Sequence, residues 1–341
     1  MGFWDFMVQE LAIDLGTANT IILKDEKIVV EEPSIVALDR DSGRLIALGF
    51  QALQMEGRTH DKIKTVRPLK GGVIAELDAS EKMLRGFIRK INSKKRRFFS
   101  PLLKMLVCVP SGITGVERKA LREAAMKAGG REVRLISEPM AAAIGMGIDV
   151  TRPEGHMVVD IGGGTTDIAV ISLGGIVTTR SIKVAGDDFT RDIIAHVRNE
   201  YSLLIGERMA EKIKIKVGSV LPRLENPPED IEVLGRDLRS GVPKLITVNY
   251  AEVARAINAS IQKLEIAIHQ VLEQTPPELA ADIYQNGIHL TGGGALLRGI
   301  DERISRRISL KVHIAEDPLR TVARGTAITL KNIRELHHLT D

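Results

Sequence analysis

Val159-Asp160-Ile161-Gly162-Gly163-Gly164-Thr165-Thr166-Asp167 is the stretch on which the fold turns. An apolar strand ends in an acidic residue, glycines turn the chain, and threonine leads into the next strand. Ile13-Asp14-Leu15-Gly16-Thr17-Ala18-Asn19-Thr20 repeats that pattern 146 residues earlier, close to half of the 341-residue chain. A duplicated two-lobe protein leaves such a trace. One such turn alone reads most simply as an ordinary hairpin. Two matched copies at half-chain spacing point instead to a ligand held between them. A third glycine loop, Leu290-Thr291-Gly292-Gly293-Gly294-Ala295-Leu296, strengthens that reading.

Outward from these loops the apolar pattern alternates between strand and helix periods, which predicts an α/β fold. Residues 80–91 carry Met83, Leu84, Phe87, Ile88 and Ile91 on one helical face. Residues 105–109 read as a buried strand stopped by Pro110, and 115–128 as a helix stopped by Gly129-Gly130. Pro139 opens a small-residue helix, and 187–204 and 207–217 read as helices. Residues 221–243, with Pro227-Pro228, read as a polar, loop-rich lobe. Residues 250–273 predict one long helix, and 321–336 a closing helix.

Glycine lets the backbone approach a ligand and turn its N–H groups inward, and threonine hydroxyls add donors. Such loops suit phosphate oxygens, and two facing each other grip a triphosphate from both sides. Asp14 and Asp160 make no sense against phosphate directly. They fit as holders of a hydrated Mg²⁺ that bridges to the phosphates. The third loop, Gly292 to Ala295, can pack flat against a base or ribose. The chain has neither G-x-x-x-x-G-K-[ST] nor a helix-opening G-x-G-x-x-G, so it is not a P-loop or Rossmann binder by sequence.

Composition sets the frame. Hydrophobic residues at 44% and charged residues at 27% exclude wholesale disorder. No apolar run reaches the roughly 18 residues of a membrane span. Asp5 and Glu10 interrupt the N-terminus, so no signal peptide is expected. A single cysteine, Cys108, excludes a disulfide framework, predicts a packed strand residue and suits a reducing cytosol. None of the eight histidines has a partner spaced for metal. The net charge of +4 is uneven: residues 82–104 hold nine basic and no acidic residues. That predicts one local contact surface for anions.

The loops together resemble the actin, Hsp70 and sugar-kinase ATPase superfamily, and most closely, over nearly the whole chain, the MreB family of bacterial actins. Besides the three glycine loops, the resemblance rests on Cys108-Val109-Pro110-Ser111-Gly112-Ile113-Thr114 and Glu138-Pro139-Met140-Ala141-Ala142-Ala143-Ile144-Gly145. Val184-Ala185-Gly186-Asp187, Ile205-Gly206-Glu207-Arg208 and Thr275-Pro276-Pro277-Glu278-Leu279-Ala280 also match. Asp167 stands where the family usually has Glu, and Phe189-Thr190 replace its usual Met-Asp.

The resemblance implies an actin-like α/β ATPase fold of duplicated ribonuclease-H-like lobes around a nucleotide cleft. It implies lobe I over 1–148, with about 32–75 as a small subdomain and a return over 315–341. Lobe II would span 149–314, with about 184–250 as its small subdomain. Thr17, Ala18 and Asn19 would contact the phosphates of ATP, with Gly162, Gly163 and Gly164 cradling them from the other lobe. Asp14 and Asp160 would hold Mg²⁺ through waters. Glu138 would orient the attacking water with help from Thr166. On the residues alone, Glu138 reads equally as a carboxylate capping the Pro139 helix. Glu207, Ala210, Glu211, Lys212, Ile213 and Lys214 would meet ribose and base, and Gly292, Gly293, Gly294 and Ala295 would line the adenosine side.

Two segments fall outside that cleft. Lys94-Lys95-Arg96-Arg97-Phe98-Phe99 joins a basic cluster to two aromatics. Nucleic-acid binding needs stacking aromatics interleaved along an extended groove, which one short cluster does not provide. An anionic leaflet fits better, at on the order of 1 kcal/mol per basic residue. Docking of a partner protein and a solvated loop are the other readings. Phe3, Trp4 and Met7 add an N-terminal apolar group on one face at helical spacing, with Phe6 nearby.

The expected function is that of an ATP-hydrolysing, membrane-associated filament that determines cell shape by guiding wall synthesis. It implies weak ATPase activity coupled to polymerisation and location in the cytoplasm at the inner face of the membrane. Partners would be further copies in paired head-to-tail filaments, inner-membrane lipids and cell-elongation and wall-synthesis membrane proteins, with no nucleic acid. A small-molecule kinase of the same superfamily is the alternative; such kinases usually carry larger insertions and a substrate-activating Asp in the cleft, and no such insertion is evident. A chaperone ATPase would need a peptide-binding domain, which the sequence does not contain.

Overall fold

The computed structural model describes residues 8–92 and 102–341. Ten strands build two five-stranded sheets. The first holds β1 (Val8–Leu15), β2 (Asn19–Lys24), β3 (Lys27–Pro33), β4 (Leu102–Val109) and β5 (Gly130–Ser137) in the order β5-β4-β1-β2-β3. The second holds β6 (His156–Ile161), β7 (Thr166–Ser172), β8 (Gly175–Ile182), β9 (Ile288–Thr291) and β10 (Val312–Ile314) in the order β10-β9-β6-β7-β8. In each, three antiparallel strands meander and two parallel strands complete the sheet. The repeat read from the two Asp-Gly loops is therefore a repeat of topology.

Each sheet has its own apolar core. The first gathers Leu11, Ile13, Met83, Phe87 and Met105, and the second Val159, Ile168, Phe189, Ile261 and Leu264. Four helices bear on the site: α1 (Glu138–Gly145), α2 (Gly186–Tyr201), α3 (Glu207–Val217) and α4 (Thr321–Lys331). A third core joins the sheets, with Ala141, Ala142 and Ala143 of α1, Ala323 and Ala327 of α4, and Leu106, Cys108, Val158 and Ala169 from strands. The small residues of α1 have a structural reason. A Cβ on Gly325 would fall inside the Ala141 carbonyl, and one on Gly145 inside that of Thr321. The two helices thus meet backbone to backbone.

A small sheet accompanies each large one. Val36–Asp39, Leu45–Leu48 and Ile63–Val66 form the first, and Leu203–Leu204, Ile231–Asp237 and Pro243–Val248 the second. The second corrects the loop-rich reading of 221–243. Ile231 and Val233 face inward, but Glu232 and Arg236 on the other face dilute the apolar signal. The helix expected over 250–273 is two helices, Tyr250–Ala256 and Asn258–Glu273, meeting at Ile257 (φ −88°, ψ 0°). The last helix ends at Lys331, before the expected 336, because Asn332 leaves helical geometry. Among the described residues no helix is long and apolar enough to cross a membrane.

Candidate functional site

Asp14 and Asp160 are each the penultimate residue of the first strand of a sheet. The turns that follow are braced from behind. Ser34 donates its hydroxyl to Gly16 O (2.7 Å) and its N–H to Ala18 O (2.9 Å). A Cβ on Gly16 would stand 2.8 Å from Asn19 O, so the first turn needs glycine there. In the second turn Gly162 N–H donates to Thr165 O (2.9 Å). The first turn of α2 holds the same loop, with Gly186 N–H on Gly162 O (3.1 Å) and Asp187 N–H on Gly163 O (2.7 Å).

The two turns face each other at contact distance. A Cβ on Gly163 would lie 2.8 Å from that of Ala18, and one on Gly164 would lie 2.6 Å from Thr17 Oγ1. The N–H groups of Thr17, Ala18, Gly163 and Gly164 donate to no group among the described residues. Uncommitted backbone donors converging from two sides are the donor set that phosphate oxygens require. Thr17 also accepts the Gly72 N–H (3.0 Å) from the Gly71-Gly72 turn, whose φ values are +54° and +76°. That turn lies over both loops, since a Cβ on Gly164 would come 2.9 Å from Gly71 N.

Four carboxylates gather beside these donors. Burial pushes Asp14 up from 3.8 to about 6, opposed by a hydrogen bond from Cys108 Sγ (3.2 Å). Burial, then Asp167 and Asp14, push Asp160 up to about 8. Glu138 opens α1 and is raised well above the usual range by burial, then by Asp167, Asp160 and Asp14. Asp167 lies opposite Asp160 on β7. Burial raises it, and hydrogen bonds from Ser111 chiefly oppose that.

No ion pair among the described residues reaches any of the four. Nor do any three His, Cys, Asp or Glu side chains among them converge closely enough to hold a bare metal ion. Raised acids with no basic partner fit a hydrated divalent cation, which keeps its own waters between itself and the carboxylates. Such a cation would lower all four, because its charge dominates a site of this kind.

The other expected residues fall into place unequally. Asn19 is exposed at the rim of the first turn. Thr166 is buried and donates its hydroxyl to Val184 O (2.7 Å), which commits its proton to the backbone. The side chains of Ala210 and Ile213 are buried in the second core, while Glu207 and Lys212 are exposed. Lys214 Nζ pairs with Glu211 Oε2 (2.7 Å) and donates to Gly186 O (2.9 Å) and Thr190 Oγ1 (3.1 Å), so it ties α3 to the base of the second loop. Thr190, one of the two departures from the family pattern, is a node of that network, 2.8 Å from Glu211 Oε2. Phe189 is a fully buried core residue.

Gly292, at φ +80°, packs on the end of β6, where a Cβ would strike Asp160 Oδ1 and Ile161 O. Gly294 packs on Ile161, Gly293 faces Leu319, and Ala295 is buried. The third loop thus abuts the second carboxylate. Phe3, Trp4, Phe6, Met7, Lys94, Lys95, Arg96, Arg97, Phe98 and Phe99 lie outside the described residues. Sequence reasoning missed Ser111, Gly71-Gly72 and the Cys108 contact. Each depends on a neighbour at least 55 residues away and leaves no local signal.

The family model described as MreB/Mbl protein matches residues 8–338. The chain belongs to the MreB/Mbl family. It is 51% identical over 329 residues to cell shape-determining protein Mbl of Bacillus subtilis (strain 168), covering 96% of this chain and 97% of that one. It is 49% identical to cell shape-determining protein MreB of Escherichia coli (strain K12), covering 95% and 94%. MreB5 of Spiroplasma citri, solved bound to ADP and bound to AMPPNP, superposes with a TM-score of 0.90 at 39% identity, covering 97% of this chain and 98% of that one. The MamK double helical filament shares the fold, with a TM-score of 0.79 at 20% identity. The MreB/Mbl architecture is the actin-like ATPase fold, and it accounts for the duplicated sheets and the loops at their strand ends.

Proposed function

We propose that the chain is an ATP-dependent, filament-forming bacterial actin that determines cell shape by guiding wall synthesis. The observation that carries this is the pair of facing turns with uncommitted N–H groups beside four carboxylates, Asp160 and Asp167 among them buried. It is supported by relatives named for cell-shape determination and by a similar structure that binds ADP and AMPPNP.

Lobe I comprises 1–148 and 315–341, lobe II comprises 149–314, and they close on the nucleotide. Thr17, Ala18, Asn19, Gly163 and Gly164 hold the phosphates. Asp14 and Asp160 hold Mg²⁺ through its waters, and that ion neutralises phosphate charge when bound. Glu138 orients the attacking water, a task of positioning more than of strong base catalysis.

Copies stack head to tail, a heterologous contact that does not close and so makes filaments. The filament lies on the cytoplasmic face of the membrane through residues 1–7 and 93–101, and meets cell-elongation and wall-synthesis membrane proteins there. Val8 and Leu102, which immediately follow those two segments, are partners in the parallel β1–β4 pair. Both segments therefore run into neighbouring strand starts at one end of the first sheet.

The test is sedimentation and electron microscopy of the purified protein with ATP and Mg²⁺, together with phosphate release. The expected outcome is nucleotide-dependent filaments and slow hydrolysis. Glu138→Gln should still form filaments and bind ATP but release phosphate on the order of 10²-fold more slowly. A Glu138→Gln protein that binds ATP weakly yet turns over what it binds at the parent rate would assign Glu138 to the phosphate cradle. Absence of ATP-dependent assembly would overturn the filament reading.

A further inference from the structure

A turn from the first half of the chain is clamped by the second half beside the carboxylates. β4 ends at Val109, and Pro110-Ser111-Gly112 follows it. Ser111 donates both its backbone N–H (2.8 Å) and its hydroxyl (2.6 Å) to Asp167 Oδ1. Thr179 Oγ1 lies 2.9 Å from Ser111 Oγ, within hydrogen-bond reach. Asp167 and Thr179 belong to β7 and β8, so one serine is held by two strands of the opposite sheet. Gly112 approaches β8 so closely that a Cβ would stand 2.7 Å from that of Ser181. Pro110 is covered in turn by Gly72, where a Cβ would stand 2.9 Å from Pro110 Cγ and 2.8 Å from Thr165 Cγ2.

Asp167 is only 1% exposed. Its second oxygen, Oδ2, is buried with no hydrogen bond among the described residues, although Ser181 and Thr165 stand close enough to act on the carboxyl. One oxygen of a buried acid is thus spent wholly on the other half of the molecule. The acid itself sits across the strand pair from Asp160. Separating the halves would strand that oxygen or expose it, and hydrogen bonds to charged groups are the strong kind.

We propose that Ser111, Asp167 and Thr179 form a latch across the cleft that keeps the two halves closed over a bound adenine nucleotide and so sets how slowly it leaves. Asp167 is in this sense a positioning residue. It acts through Ser111 on the closure of the cleft and needs no contact with the nucleotide. The proposal rests on the ATP reading above and adds to it a determinant of nucleotide exchange.

The experiment uses the full chain in dilute solution, loaded with a fluorescent adenine nucleotide and Mg²⁺, and chased with excess unlabelled ATP. Release is timed for the parent, Ser111→Ala, Thr179→Val, Asp167→Asn and the Ser111→Ala/Asp167→Asn pair, with a melting curve for each. Ser111→Ala and Asp167→Asn should each speed release on the order of tenfold, and Thr179→Val less. The pair should fall short of the product of the two single effects, because both changes weaken one shared contact. Should Asp167→Asn fail to fold, Ser111→Ala and Thr179→Val still decide the matter. Melting points that drop while release stays at the parent rate would make the contact structural and overturn the latch, as would full additivity in the pair. A parent that retains no labelled nucleotide overturns the ATP reading itself, so the two failures are told apart.

Discussion

At the scale of single residues, the site is defined by acids that are uncomfortable without a counter-charge. Asp14 and Asp160 titrate near 6 and 8, against 3.8 ordinarily, and burial is the first cause for both. Between the unfolded and folded values the folded chain keeps protons that the unfolded chain releases. Stability must therefore fall as pH rises through that window. The prediction concerns protein stripped of metal and nucleotide with EDTA. Its Tm should fall between pH 5 and pH 8.5, and Asp160→Asn should flatten that fall, because an amide has no proton to lose. Mg²⁺ with ATP should restore the parent at high pH. Parallel curves for parent and variant would sink the assignment of the strain to Asp160. Both acids were legible in the sequence because the strand-Asp-Gly pattern is local. Asp167 was legible only as a departure from a family pattern. Its serine partner is 56 positions away, and nothing in the local sequence marks that pairing.

At the scale of elements, the meeting of α1 and α4 is the tightest packing in the connection between the sheets. A methyl group on Gly325 cannot be accommodated by a rotamer change, since the obstacle is the Ala141 backbone carbonyl. Gly325→Ala should cost about 3 kcal/mol, at the upper end of overpacking costs. Chemical denaturation would show this as a lower midpoint, with Arg324→Ala one residue away serving as a surface control. A midpoint equal to the parent's would mean that the helices can part without cost. The small-residue run of α1 was readable in the sequence. Its purpose was not, because the partner helix begins 176 residues beyond Gly145. The missed Ile231–Asp237 strand shows the opposite failure. There the period-2 pattern was present but half of it faced solvent.

At the scale of the whole molecule, the duplicated sheets fix the cleft, while the pairing of Val8 with Leu102 bears on how the molecule sits against a surface. On the proposed reading, residues 1–7 and 93–101 would be two weak anchors acting jointly, and a filament would add them again as avidity. Phe98→Ala with Phe99→Ala should therefore weaken flotation with anionic liposomes in part. Removing residues 2–7 as well should nearly abolish it, while ATP hydrolysis in solution persists. High salt should reduce the share due to Lys94, Lys95, Arg96 and Arg97 and spare the aromatic share. Undiminished flotation of the doubly altered protein, or equal binding to neutral and anionic liposomes at low salt, would turn the basic cluster into a docking surface for another protein. The two-lobe plan was legible from one repeated octapeptide. The adjacent strand starts that both segments run into were not, because they depend on a parallel pairing of residues 94 positions apart.

The contact of α1 with α4 also decides what kind of machine the cleft can be. The chain passes between the sheets at α1 and again just before α4, so both covalent crossings run through that contact. Side chains between helices can swap rotamers and let one helix slide along another, but bare carbonyls against glycine leave no such slack. Any tilt of one half against the other would therefore turn about this contact, and displacement would grow with distance from it. A slight tilt where Gly325 meets Ala141 would become a wider swing at the small sheets, and on the proposed reading a change of one phosphate between the glycine turns would be read at the far ends of the molecule.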